Sequence, residues 1–137
     1  MKKSIDPRVG QEAEGKRLPF LDETHINTDE IKTFVFDSPS QKIHIETDEF
    51  SAVCPFSGLP DIAKVVINYV PKAGKALELK ALKYYFLSFR SVGIYQEGVT
   101  KRIHRDLCKA LSCKTVEVTT VYNTRGGLDV TCIEGKV

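Results

Sequence analysis

No apolar run in this 137-residue chain approaches the ~20 residues that a membrane span needs. The opening MKKSIDPRVGQEAEGKR carries two lysines but no apolar stretch behind them. No export signal is therefore expected, and the cytoplasm is the expected compartment. Excess charge of one sign is also scarce, with a net charge of only +2. A nucleic-acid binder that relies on bulk charge is more basic than this, so neither direct nucleic-acid contact nor membrane contact is expected. The four cysteines, Cys54, Cys108, Cys113 and Cys132, contain no Cys-x-x-Cys pair and are expected as reduced thiols. His104, Cys108 and Cys113 are closely spaced but lack a nearby fourth ligand. A structural zinc site takes four, so no metal is expected. Neither G-x-G-x-x-G nor G-x-x-x-x-G-K-[ST] occurs. The phosphates of any bound nucleotide would have to be met by side chains.

What is present is ordinary for one globular domain: 42% hydrophobic and 28% charged residues, enough for a real core. Residues 1–30 are polar and read as a flexible or loosely docked arm; 31–137 read as a single domain. IKTFVFD at 31–37 is a short β-rich run. QKIHIET at 41–47 alternates, with Ile43 and Ile45 on one side and His44 on the polar side, where a solvated histidine is expected. FSAVCPFSGLP at 50–60 reads as a loop from its Pro, Gly and Ser. DIAKVVINYV at 61–70 is a strand with Ala63, Val65, Ile67 and Tyr69 on one apolar face. A helix over 78–90 places Leu79, Leu82, Phe86 and Phe89 on a buried arc, and a second over 96–112 buries Val99, Ile103, Leu107 and Leu111. KTVEVTTVY at 114–122 is a strand, Gly126-Gly127 mark a hairpin connection, and 128–133 return as the last strand. Helices grouped between strand pairs argue an α+β domain: an antiparallel sheet with both helices on one face. Its open edges suit closure by further copies of the chain.

Chemistry-bearing residues each admit two readings. Lys80, Lys83 and Arg90 share one arc of the first helix, beside its apolar seam. That arc is either a solvated face or a phosphate-binding edge, since clustered Lys and Arg meet phosphate through charge-assisted hydrogen bonds. Cys54 sits in the Pro/Gly/Ser loop, either as a bland loop cysteine or as a nucleophile, with Asp61 seven residues on to move a proton. Glu97 either complements the helix dipole or accepts two parallel hydrogen bonds from a guanine-like edge. Arg125 with Gly126-Gly127 is either turn chemistry or a cation on a loop that a ligand can approach.

ELKALKYY at 78–85, FSAVCPFSGLPD at 50–61, SFR at 88–90, YQEG at 95–98 and RGG at 125–127 together resemble the NADPH-dependent 7-cyano-7-deazaguanine reductases, the QueF family of queuosine biosynthesis. The resemblance runs over residues 40–130 and fits the short, single-domain form. It implies a tunnelling fold similar to GTP cyclohydrolase I, in a ring-forming homo-oligomer expected as a decamer of two pentamers. It also implies reduction of the nitrile of 7-cyano-7-deazaguanine to an aminomethyl group with two NADPH. In that reading Cys54 is the nucleophile that forms a thioimide and Asp61 the proton donor. Leu77, Glu78, Leu79, Gln96 and Glu97 bind the base, and Lys80, Lys83 and Arg125 bind the cofactor. Arg90 is left unassigned. The chain departs from several short-form members in carrying Gln96 before the base-reading Glu97, where they carry His, and Ser91-Val92 where they carry Asn-His. Gln cannot titrate near neutrality, so no proton-transfer role is expected at that position. Two rivals remain: an amidinotransferase acting on the same nitrile in transfer RNA without NADPH, and a non-catalytic oligomeric binding module.

Overall fold

The computed structural model describes residues 18–137. In chain order the strands and α-helices are β1 (Thr33–Val35), β2 (Ile43–Val53), β3 (Pro60–Tyr69), β4 (Lys75–Leu77), α1 (Leu79–Leu87), α2 (Gln96–Leu111), β5 (Val116–Tyr122) and β6 (Thr131–Gly135). The main sheet is antiparallel with order β2-β3-β5-β6, and β1 pairs with β4 in a separate two-stranded sheet. The expected α+β class with an antiparallel sheet is what the structure has.

Alternation explains β3 and β5. Ala63, Val65, Ile67 and Tyr69 point inward from β3, and Val116, Val118, Thr120 and Tyr122 from β5, all buried. Helix α1 covers β2, with Phe50 against Phe86 and Phe89 at ring-centroid distances of 5.7 and 5.2 Å. Helix α2 covers β5, where Thr100 and Thr120 hydroxyls meet at 2.6 Å. Both helices therefore lie on one face of the main sheet. The expected α2 stripe, Val99, Ile103, Leu107 and Leu111, is fully buried.

Four expectations need correction. Strand β2 does not end at Thr47 but runs to Val53, and only 54–59 form a loop. A bulge at Asp48-Glu49 breaks the alternation, so Thr47 and Phe50 both face inward and the period-2 signal is lost from the sequence. Strand β4 is a three-residue piece, too short to leave a pattern. The last strand is β6, not 128–133, because Arg125 and Leu128 exchange backbone hydrogen bonds at 3.0 and 2.9 Å in a tight turn and delay it. Leu79 is 62% exposed; it heads α1 beyond the edge of the core, where Ala81 and Tyr85 are buried instead.

The first 17 residues of the expected arm lie outside the described residues. Its described part, 18–30, docks on the domain: Ile26 enters the core and the Asn27 N–H donates to Ser88 Oγ at 2.9 Å.

Candidate active site

The end of β2 and the start of β3 build one corner. Val53 pairs with Pro60 and Ala52 with Asp61, so the loop 54–59 is a hairpin connection with Cys54 at its first position. The Cys54 N–H donates to the Leu59 carbonyl at 2.9 Å and the Gly58 N–H to the Cys54 carbonyl at 2.7 Å. Gly58 takes φ +75°, a conformation that L side chains resist. Asp61 faces inward with the apolar residues of β3 and is 4% exposed. A carboxylate there needs a partner, and the Arg125 guanidinium, from the turn after β5, is ion-paired and hydrogen-bonded to it.

Cys54 is half-buried, and burial alone pushes its thiol up. The Ser57 N–H and hydroxyl, the Phe56 N–H and the Arg125 side chain all favour the thiolate, and together they prevail, drawing the thiol below its ordinary range. Two of these groups were not singled out in the sequence: Ser57 and the Phe56 amide act only once the loop closes. Tyr122 is another. Its hydroxyl is buried beside Asp61 and Glu97, near Thr120, and makes no hydrogen bond of good geometry. Burial first, and the Asp61 carboxylate next, push this phenol upward, so it remains a donor. In the sequence Tyr122 reads only as the last inward residue of an alternating strand.

Gln96 and Glu97 reach the same corner through the backbone. The Val53 N–H donates to the Val92 carbonyl at 2.9 Å and the Ile94 N–H to the Val53 carbonyl at 3.0 Å. These bonds fix the segment that leads into α2. Thr100 ties the first turn of α2 down, donating to the Gln96 carbonyl at 3.2 Å while bonding to Thr120. Glu97 is exposed in that first turn. A cavity of about 170 Å³, lined by Leu59, Asp61, Tyr122, Asn123 and Arg125, opens here. Cys54, Asp61, Gln96, Glu97 and Arg125 thus share one corner.

The other candidates lie elsewhere in the chain. The Leu77 N–H donates to the Tyr69 hydroxyl at 3.0 Å, at the opposite end of β3 from Asp61. Eight residues of extended strand span about 26 Å. Leu77, though buried, lines an open groove of about 440 Å³ together with Glu78, Leu79, Phe34, Phe36 and Ile43. Lys83 pairs with Glu49 of the β2 bulge and shares a small crevice with Arg90, Thr47 and Ser51. Lys80 is exposed at the start of α1. The predicted cofactor cations therefore split: Lys80 and Lys83 on α1, Arg125 on Asp61.

His44 lies on the solvated face of β2, bonded to Asn68 at 2.7 Å and Glu46 at 3.0 Å. His104 Nε2 faces the Val116 carbonyl at 3.1 Å and Cys108 Sγ at 3.4 Å, while Cys113 Sγ is directed at the Val70 carbonyl at 3.7 Å.

The family model for QueF-like proteins matches residues 60–136. Two curated relatives are NADPH-dependent 7-cyano-7-deazaguanine reductases of Thermotoga petrophila and Thermotoga maritima. Each is 54% identical over 128 residues, covering 90% of this chain and 93% of the relative. A third, of the same name, from Caldicellulosiruptor bescii, is 45% identical over 105 residues, covering 75% of this chain and 79% of the relative. Among solved structures, the archaeosine synthase QueF-Like in its apo form superposes with a TM-score of 0.66 at 24% identity, covering 73% of this chain and 96% of that one. At that identity the likeness speaks for the fold alone.

Proposed function

This chain belongs to the QueF family, and we propose that it is an NADPH-dependent nitrile reductase converting 7-cyano-7-deazaguanine to 7-aminomethyl-7-deazaguanine. The observation that carries this reading is the Cys54 corner. A thiol drawn below its usual range stands at the head of a hairpin whose partner strand begins with a buried, arginine-paired Asp61. The names of relatives 54% identical across nine-tenths of the chain supply substrate and cofactor.

A nitrile carbon is electrophilic but resists direct hydride attack. The Cys54 thiolate adds to it, forming a carbon–sulfur bond, and the nitrile nitrogen takes a proton to give a thioimide. In this reading Asp61, hydrogen-bonded to the same Arg125 side chain that favours the thiolate, takes up the thiol proton and delivers it to that nitrogen. Glu97, exposed beside the corner, accepts the paired N–H groups of the guanine-like edge. Tyr122, whose hydroxyl has no hydrogen bond of good geometry, is a further donor at the same place.

NADPH, when bound, supplies the two hydrides that take a nitrile to an amine. Lys80 and Arg90 are exposed cations of the kind its phosphates need, on and just beyond α1, and Lys83, exposed on α1 but paired with Glu49, is a third. Arg125 is committed to Asp61 and is the weaker candidate for that task.

Glu78 lies at the opposite end of β3 from Asp61, so we infer a homo-oligomer in which a neighbouring copy brings its Glu78 to each Cys54. A ring-forming assembly, such as a decamer of two pentamers, does this by pairing open sheet edges; β2 and β6 are those edges here.

Absorbance at the NADPH band during turnover tests the reaction. We expect oxidation that depends on the nitrile and consumes two NADPH for each nitrile. Formation of a covalent nitrile adduct with no oxidation at all would instead favour the amidinotransferase.

A further inference from the structure

Residues 18–21 lie against the nucleophile loop and the 91–94 segment. The Leu21 N–H donates to the Ser91 carbonyl at 2.8 Å, and the Gly93 N–H donates back to the Leu21 carbonyl at 2.8 Å. Leu21 thereby pairs in parallel with Val92, and Gly93 pairs in parallel with Val53. The 18–21 segment, the 91–94 segment and the end of β2 form one short ladder. Its last member, Val53, is the residue before Cys54.

Two glycines show how close the contact is. A Cβ built on Gly58 would stand 2.4 Å from the Leu18 carbonyl oxygen and 2.8 Å from the Leu18 nitrogen. One built on Gly93 would stand 2.2 Å from the Phe20 ring. Gly58 closes the Cys54 loop, so the Leu18 backbone lies directly on the turn that presents the thiol. Phe20 covers the segment that leads to Gln96 and Glu97. Phe20 is not filling the core: it is 39% exposed. The segment is held from its far side, where Ile26 is buried, the Asn27 amide bonds to Ser88, and Glu23 reaches Arg102 at 3.9 Å.

We propose that Leu18 and Phe20 are positioning residues for Cys54. The 18–21 segment clamps the 54–59 loop against the 91–97 segment. This keeps the Phe56 and Ser57 donors aimed at the thiolate and keeps Cys54 in place relative to Glu97. Leu18 acts through the loop at Gly58, and Phe20 through the 91–97 segment at Gly93. The proposal rests on Cys54 being the nucleophile.

The test is the pH profile of Cys54 alkylation by iodoacetamide in the full-length protein, read by peptide mapping so that the other cysteines do not contribute. Phe20→Ala is expected to move the midpoint up by about one pH unit, which lowers the thiolate fraction, and the rate at neutral pH, roughly tenfold. Phe20→Leu, which keeps an apolar side chain over Gly93, should retain most of the wild-type profile. Gly93→Ala should displace the ring and give a similar shift alone, but add nothing in the Phe20→Ala background. A Phe20→Ala midpoint equal to wild type overturns the proposal, as does full additivity in the double variant. The readout uses neither nitrile nor NADPH. Its failure is therefore distinct from failure of the reductase reading, which shows as a wild-type protein that forms no nitrile adduct.

Discussion

Asp61 and Tyr69 stand on the same face of β3, eight residues apart, in opposite circumstances. Around Asp61 the chain supplies its own answers: Arg125 meets the carboxylate, Ser57 and Phe56 support the Cys54 thiolate, and Thr100 and Thr120 pin the turn that carries Gln96 and Glu97. Around Tyr69 the core is just as well made, with the hydroxyl taken up by the Leu77 amide, but the surface beyond it is unfinished. Phe34 is 52% exposed and Leu79 62% exposed, at the rim of an open groove. Bond-making needs groups fixed within hydrogen-bond reach, which one chain can arrange across a hairpin. The groove end, with exposed apolar side chains beside Glu78, offers open surface of the kind that recognition uses.

Variants at the two ends should separate chemistry from recognition. The largest effect is expected for Cys54→Ala: nitrile-dependent NADPH oxidation should fall by at least about a thousandfold, as when other covalent nucleophiles are removed. NADPH binding, followed by fluorescence, should persist. Asp61→Asn comes next, at about a hundredfold in kcat, the scale of a lost general acid. It also leaves the Arg125 guanidinium without its carboxylate.

A mixing experiment tests whether the two ends act from different subunits. Cys54→Ala and Glu78→Ala proteins should each be nearly inactive alone. Co-expressed, they should regain activity, because some sites then combine an intact Cys54 from one subunit with an intact Glu78 from another. No regain would mean that both ends of a single chain serve the same site, against the separation along β3.

Lys83→Ala should act on recognition, raising the KM for NADPH roughly tenfold, the scale of one lost charge-assisted contact. Adduct formation with the nitrile alone should be unchanged.

The smallest shift is expected for Arg125→Gln, read as the pH profile of Cys54 alkylation. The guanidinium favours the thiolate, so its removal should raise the midpoint, but only partly, because the Ser57 and Phe56 donors remain. The sign carries over to stability. With the Cys54 thiol lower in the folded state, the thiolate stabilises the fold above the ordinary thiol range. That contribution is lost as pH falls through the folded value.

The sequence showed well those parts whose cause is local and periodic. The stripe of α2, at Val99, Ile103, Leu107 and Leu111, and the alternation of β3 and β5 can be read from spacing because each repeats several times. The loop thiol and Asp61 stood out for a similar reason, seven residues apart across one hairpin. What spacing concealed was set by tertiary contact. The bulge at Asp48-Glu49 inverts the inward set of β2, which made half of a strand look like a loop. Arg125 reaches Asp61 across 64 residues of sequence, and no pattern in either segment announces that pair. Leu18 and Phe20 sit in a stretch that reads as an arm, and their closeness to Gly58 and Gly93 follows only from the folded chain. The missing side chains of two glycines were the sole trace of it.

The proposed chemistry turns on attack of the nitrile by Cys54. Intact-protein mass after mixing with 7-cyano-7-deazaguanine, in the absence of NADPH, tests it most directly. A mass increase of one substrate per chain is expected in the wild type, absent from Cys54→Ala and reversed when NADPH is added. A wild-type mass that stays unchanged, or an adduct that survives in Cys54→Ala, would contradict it.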